Sequence, residues 1–386
     1  MYVPNRRPIF NRRPQSNLYR MFLWIVLILG GVWLIRQVQV GAVKPHFLPT
    51  PTPTRTSDSY ALEGDAQFTA GQLDAAIKAY QEAVRVDPNN ASIWIKLARI
   101  QTYSTRLLVT DDATRARLAE ALSSAEKAVE LAPDDSMSLA VHAFVLDWNA
   151  NPTLYGEDQA QKYLLDADRE ATRAVQLDKT NTLALAFYAE ILVDQQKWTQ
   201  AQQYIDQALG REDAATLMDV HRVHAYVLES LGEYTLAIEA YDRAIQITPN
   251  LTFLYLQAGA NYRTLGFRSP NEDTQKQLFE KSLEYFAQAA RINEQLGVND
   301  PVPYLSIART YSQMGEYFSA ARNVRKALEF EPDNADVYGQ LGTVYFKSRN
   351  YEGSIPALKC AIRGCDEEES CQARFGSSCT DAGETG

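Results

Sequence analysis

Residues 71–90 read GQLDAAIKAYQEAVRVDPNN, and the phrase returns at 232–250 as GEYTLAIEAYDRAIQITPN and at 315–334 as GEYFSAARNVRKALEFEPDN. Aligned on Pro88, Pro249 and Pro332, the three copies share an alanine twelve residues earlier (Ala76, Ala237, Ala320). A bulky residue stands eight earlier (Tyr80, Tyr241, Val324) and an alanine five earlier (Ala83, Ala244, Ala327). Spacings of four and three place these residues on one helical face, where small side chains admit a second helix and the large one fills the gap beside it. Gly71, Gly232 and Gly315 stand where a first helix must end and the chain reverse, and each proline ends the second helix. A period in the thirties, written about eight times, predicts stacked helical hairpins, each burying its apolar face only against its neighbours.

Outward from these copies the pattern continues. Trp94, Leu97 and Ala98 open a second unit that Ala121, Ala125, Ala128 and Pro133 finish. Leu139, Ala143 and Leu146, then Ala167, Ala171 and Ala174, form a third, with Lys179 where proline is expected. Tyr188, Ala189, Ala201 and Ala208 mark a fourth, Gly259, Tyr262 and Phe286 a sixth, and Tyr338, Leu341, Gly342 and Ala361 an eighth, with Pro356 intruding. These residues resemble the tetratricopeptide repeat (TPR) family over roughly residues 57–368. The resemblance implies an all-α, right-handed solenoid of units at 57–90, 91–135, 136–181, 182–217, 218–251, 252–296, 301–334 and 335–368. Units two, three and six carry extra Asp-, Pro-, Asn- and Gly-bearing residues between their helices, read as longer turns or extended helix ends.

The chain of 386 residues carries a net charge of −10; residues 1–56 hold eight Lys/Arg and no Asp/Glu, which leaves −18 on the remainder. So acidic a surface disfavours nucleic acid as a partner. Residues 1–20 form a basic tail with Arg6, Arg7, Arg12, Arg13 and Arg20. Residues 21–43 are long enough to span a hydrocarbon core, with Arg36 as their only charge and Trp24 and Trp33 as interfacial anchors. Two readings stand: a single-pass anchor, or a signal peptide cleaved near Val40-Gly41-Ala42. Both keep the arginines in the cytoplasm and export the repeats. The Pro/Thr-rich residues 44–56 read as a semi-rigid spacer of a bacterial membrane-anchored TPR protein.

Cys360, Cys365, Cys371 and Cys379 all lie late. In an oxidising compartment they read as disulfides, with three pairings open; a zinc site and free thiols are the alternatives. Residues 369–386 read as a flexible tail in which cross-links substitute for a capping helix. Of the histidines, His221 and His224 are three apart on one helix face, a spacing open to metal, but both fall on packing places, as does His142. No catalytic motif appears, so no enzyme activity, metal or cofactor is expected.

The TPR resemblance also implies a concave surface lined by first helices, at the second, fifth, ninth, twelfth and thirteenth places of each unit. Carried onto this chain, it picks Arg99 and Tyr103, then Phe144, Asp147 and Trp148, then Glu190 and Asp194. Arg222, Tyr226 and Glu229 follow, with Arg263 and Arg309 from the later units. Aromatic and Arg residues are the types that anchor interfaces. The competing reading packs Phe144 and Trp148 under the insertion of unit three. The family's carboxylate-gripping Lys/Asn/Arg set is replaced by Ala61, Asp65 and Leu183, so that function is not implied. The expectation is a scaffold binding a peptide or partner helix on the exported side of the membrane. Its rival is an envelope-assembly or export factor that meets unfolded chains.

Overall fold

The computed structural model describes residues 17–39 and 55–379, and divides into two units on either side of Arg55 and Thr56. Among the described residues there are α-helices and short 3-10 turns and no strand.

The first unit contains α1 (Leu18–Gln39). Its segment Leu18–Gln37 is 20 residues long and contains an 18-residue window of mean hydropathy 2.1. Its apolar side chains are exposed, Trp24 at 64% and Trp33 at 60%. At 1.5 Å per residue, 20 residues reach about 30 Å, the thickness of a hydrocarbon core. The helix thus starts three residues before the expected span, and residues 40–43 lie outside the described residues, as does nearly all of the 44–56 spacer.

The second unit is a run of helical hairpins: α2 (Ser57–Thr69) with α3 (Leu73–Val86), then α4 (Ala91–Ser104) with α5 (Asp111–Leu131). Next come α6 (Ser136–Asn149), the one-turn α7 (Pro152–Tyr155) and α8 (Glu157–Leu177), then α9 (Thr182–Asp194) with α10 (Trp198–Leu209). α11 (Met218–Leu231) pairs with α12 (Tyr234–Ile247), and α13 (Thr252–Arg268) with α14 (Glu272–Leu296). The array ends with α15 (Val302–Gln313) and α16 (Tyr317–Phe330), α17 (Ala335–Lys347) and α18 (Tyr351–Arg363), and α19 (Glu367–Phe375).

One packing rule recurs inside the hairpins. Gly64, at the eighth place of its unit, lies under the Tyr80 ring so closely that a Cβ would sit 2.7 Å from it; Gly259 receives Phe286 and Gly342 receives Leu358 at similar range. Ala98, Ala143, Ala189, Ala225 and Ala308 take the same place elsewhere, all at 2% exposure or less. In units one, four, five, seven and eight the first helix turns into the second through a left-handed residue at the fifteenth place. Gly71, Gly232 and Gly315 hold φ near +80° there, a conformation glycine adopts without steric cost. Gln196 and Arg349 adopt φ of 60° and 62° at the same place of units four and eight. Asp, Asn and Thr side chains cap the helix starts: Asp135 accepts from the Ser138 N–H at 2.8 Å and Asn181 from that of Ala184 at 3.1 Å.

The extra residues lengthen helices: α5, α8 and α14 run 21, 21 and 25 residues. They also form the one-turn α7 in unit three and a 3-10 turn at Thr105–Leu107 in unit two.

The C-terminus departs from the expected flexible tail. Residues 367–375 are helical because Asp366 and Glu369 form a capping box, and three glutamates occupy the first turn, where the helix dipole favours negative charge. Ala373 of α19 is buried against the core that contains Leu341, Ala357 and Cys360. The helix thus covers part of the last hairpin. Cys360 pairs with Cys365 and Cys371 with Cys379.

Candidate functional site

The first helices of units two to five, α4, α6, α9 and α11, touch in series. They bring one polar and aromatic cluster together. At its centre Arg222 of α11 forms a two-point contact with Glu190 of α9, Nη1 to Oε1 at 2.8 Å and Nη2 to Oε2 at 2.5 Å. The guanidinium lies 5.4 Å from the Tyr103 ring centroid, 5.6 Å from Phe144 and 5.9 Å from Trp148. The Trp148 indole N–H donates to Glu190 at 3.1 Å. Tyr103 donates its hydroxyl to Asp219, which also meets Arg99 at 3.2 Å.

These contacts cross the array. Tyr103 belongs to unit two and Asp219 to unit five. The Tyr103 ring also stacks on Phe253 of unit six, centroids 5.4 Å apart. The concave face is therefore partly filled by its own side chains. Of the twelve residues expected to line it, Tyr103, Phe144, Asp147, Glu190 and Arg222 are buried. Tyr103, Phe144, Glu190 and Arg222 are structural partners of one another, which corrects their expected availability to a ligand; Asp147 is buried but lines a cavity. Phe144 stacks on Phe187 at 4.5 Å, and Trp148 lies under Arg106 of the unit-two insertion at 4.4 Å. Arg99, Trp148, Tyr226, Glu229 and Arg263 are half-buried, and Asp194 and Arg309 exposed.

Beside the cluster lies a cavity of about 790 Å³, lined by Trp148, Asp147, Asp194, Tyr226, Arg106 and Phe253 among others. The Asp147 and Asp194 carboxyls are within hydrogen-bonding reach of each other. Burial, then the neighbouring Asp194 and Glu190 charges, push Asp147 far up from the usual carboxylate range. Burial lifts Asp194 to about 6, although the Tyr226 hydroxyl donates to it at 2.5 Å. Asp194 meets the water of the cavity while protein surrounds it on most sides. Asp147 Oδ1 is buried and has no hydrogen-bond partner. Glu229 accepts from Asn261, and burial raises its pKa.

A second groove, of about 680 Å³, lies on α13, α15 and α17 and includes Arg263, Arg309, Lys347 and Asp336. Arg263 donates to the Ser306 carbonyl at 3.2 Å and lies 5.3 Å from the Phe286 ring centroid. Burial, then Arg309, lower its pKa to about 10.

His221 is buried and His224 half-buried on α11, and burial lowers the pKa of both. Among the described residues no three His, Cys, Asp or Glu side chains converge as metal ligands. Asp219, Phe253 and Arg106 were not singled out from sequence. Asp219 and Phe253 stand at the second place of units five and six, so the concave register held the signal. Arg106 lies in an insertion, where the register gives none.

Comparison with known proteins agrees with this architecture. A model described as TPR repeat matches residues 64–101, and one described as Tetratricopeptide repeat matches residues 189–252. Anaphase-promoting complex subunit 3 of Schizosaccharomyces pombe is 27% identical over 144 residues, 37% of this chain and 19% of that protein. The match thus spans about a fifth of that relative's length. Among solved structures the fold is similar to the APC/C hetero-tetramer Cut9-Hcn1, with a TM-score of 0.54, 12% identity and coverage of 85% of this chain and 57% of that one. It is also similar to the human IFIT1 dimer with PPP-AAAA, with a TM-score of 0.51, 19% identity and coverage of 84% and 86%. At such identities the likeness is one of fold. In repeat register, matched models and solenoid architecture alike, the chain carries tetratricopeptide repeats, which support a protein–protein interaction scaffold.

Proposed function

We propose that this chain is a membrane-tethered scaffold whose repeats hold a protein or peptide partner on the exported side of the membrane. The observation that carries the partner assignment is the groove on α13, α15 and α17. Arg263 and Arg309 lie there side by side, and among the described residues neither is in an ion pair with a carboxylate. A partner segment bearing acidic side chains fits that groove, because two guanidinium groups on an otherwise acidic array form a local complement. The tether is α1, with the arginines of residues 1–20 in the cytoplasm. Arg36 then lies near the opposite interface, where it extends toward the headgroups.

The IFIT1 likeness raises a phosphate-bearing ligand as an alternative occupant of the interior. The cavity next to Arg222 argues against it. Asp147, Glu157, Glu190 and Asp194 line it against Arg106 and Arg222, and Arg222 is already engaged by Glu190. Phosphate binding needs a surplus of cations, so nucleic acid is not assigned as a partner.

Two measurements test the proposal. Protease added to intact protoplasts of cells expressing the full chain should digest the repeats and spare residues 1–20; protection of the repeats overturns the exported placement. In-cell crosslinking should yield a defined adduct that Arg263→Glu with Arg309→Glu removes. An adduct unchanged in a folded double variant overturns the groove assignment.

A further inference from the structure

We propose that the cavity beside Trp148 is a binding site for an organic cation, a guanidinium or primary ammonium group held between the carboxyls of Asp147 and Asp194. Three observations converge on it. First, two carboxyls within hydrogen-bonding reach of each other face one cavity, and among the described residues neither forms an ion pair with Lys, Arg or His. Second, Asp147 is 4% exposed, and its Oδ1 has no hydrogen-bond partner. A buried acceptor without a donor is costly, and a cation in the cavity supplies one. Third, the walls next to the pair are the Trp148, Tyr226 and Phe253 rings, and aromatic faces attract cations electrostatically.

The molecule already contains one built instance of this arrangement. Arg222 lies between the Glu190 carboxylate and the rings of Tyr103, Phe144 and Trp148. Asp147 and Asp194 repeat the acidic half of it one step along the same helices, with Trp148 shared between the two. The volume, about 790 Å³, falls within the range of small-molecule sites and admits an arginine or lysine side chain with its backbone.

Two like charges so close do not both persist without a counter-ion, so in the free protein the pair shares a proton. The other titratable and charged groups that line its cavity are Arg106 from the segment after α4, Glu157 from α8, Glu190 from α9, Arg222 and Tyr226 from α11, and Tyr241 from α12. A cation takes the proton's place, so binding near neutral pH releases about one proton.

The cation has two possible sources, a free amine or the side chain of a bound partner. Only the second rests on the scaffold reading. The test is titration calorimetry on the full chain in detergent at pH 7, in two buffers of different ionisation heat. The probes are agmatine, cadaverine and the peptide Ac-Gly-Arg-Gly-NH2. Saturable binding that releases about one proton and weakens at least about tenfold in Asp194→Asn supports the site. Binding of the peptide alone assigns the source to a partner, and binding of the free amines alone to a small molecule. Asp147→Asn should weaken binding as well. Should that variant not fold, Asp194→Asn, whose side chain is exposed, carries the test. No saturable heat with any probe, no proton release, or equal affinity in folded Asp194→Asn overturns the proposal. The scaffold reading stands or falls separately, on the Arg263- and Arg309-dependent adduct measured by crosslinking in cells.

Discussion

Arg222 and Glu190 form a two-point ion pair with side-chain exposures of only 8% and 5%, joining α11 to α9. Burying two charges costs several kcal/mol per ion before their attraction offsets it. Part of that cost is offset: Trp148 supplies a third hydrogen bond to Glu190, and three aromatic rings flank the guanidinium, although the buried Arg222 Nε has no hydrogen-bond partner. Breaking the pair from one side leaves an uncompensated charge. Arg222→Met should lower stability by about 3–5 kcal/mol, read by urea unfolding. Arg222→Met with Glu190→Leu should recover much of that loss, because an apolar pair of similar volume is often no worse than a buried ion pair. A double variant as unstable as the single one would show that Glu190 serves another partner.

The small residues at the eighth and twenty-seventh places give a test of the repeat register. A Cβ at Gly259 would stand 2.7 Å from the Phe286 ring, and Ala244 is fully buried. Gly259→Ala and Ala244→Leu should each cost about 1–3 kcal/mol by overpacking. Melting indistinguishable from the parent in either variant would place the hairpin contact elsewhere.

The hairpins were legible in the sequence because their determinants are local. Ala76, Tyr80 and Ala83 pack on a helix fewer than thirty residues away, so a short window contains both sides of the contact. The interior of the array was not. Whether Tyr103 meets solvent or Phe253 depends on the small rotation between successive units, accumulated over four of them, and no single window encodes it. That is why Tyr103, Phe144 and Arg222, chosen as ligand-facing, are buried. The C-terminal helix was missed for a different reason. Its capping box, Asp366 with Glu369, is a local signal at the edge of the residues expected to form a flexible tail.

Left-handed residues at the hairpin turns predict a gain. Gln196 and Arg349 have φ of 60° and 62° at the place where other units carry glycine. A side chain in that region is strained. Gln196→Gly and Arg349→Gly should each raise stability by about 1 kcal/mol or less, the release of strain exceeding the added freedom of the unfolded chain. Thermal melting of the two single variants checks this; a lower midpoint in both would mean that side-chain contacts of Gln196 and Arg349 outweigh the backbone term.

Asp300 and His142 set opposing pH dependences. The Asp300 carboxylate accepts from Val302 N–H at 2.9 Å and from Asn293 at 2.8 Å, yet burial lifts its pKa from 3.8 to about 6. Between those values the folded state binds more protons than the unfolded one, so its contribution is favourable in acid and is lost as pH rises through about 6. Asp194, also raised to about 6, acts in the same sense. His142 goes the other way: burial lowers it from 6.5 to about 4. The folded state then binds fewer protons, and stability is lost as pH falls below 6.5 toward 4. Asp300→Asn should therefore lose more stability than the parent on acidification from pH 6 to 4, and His142→Gln less. Urea unfolding at pH 4, 5, 6 and 7 gives the slopes, and curves parallel to the parent in both variants would refute the assignment.

The C-terminal cysteines close two short loops, with sequence separations of 5 and 8. Loops this short restrict the unfolded chain modestly, so each bridge should contribute about 2–3 kcal/mol. The effect should be local, because in an array each hairpin is held mainly by its neighbours. α19 rests on Cys360 through Ala373 and is further tied by an ion pair between Arg363 and Glu369. Replacing all four cysteines with serine should therefore speed amide exchange in α18 and α19 and leave α9 to α12 unchanged. Peptide mapping without reductant should recover Cys360 linked to Cys365 and Cys371 linked to Cys379. A crossed pairing, or loss of protection reaching α11, would mean that the last hairpin is coupled to the interior more tightly than its contacts imply.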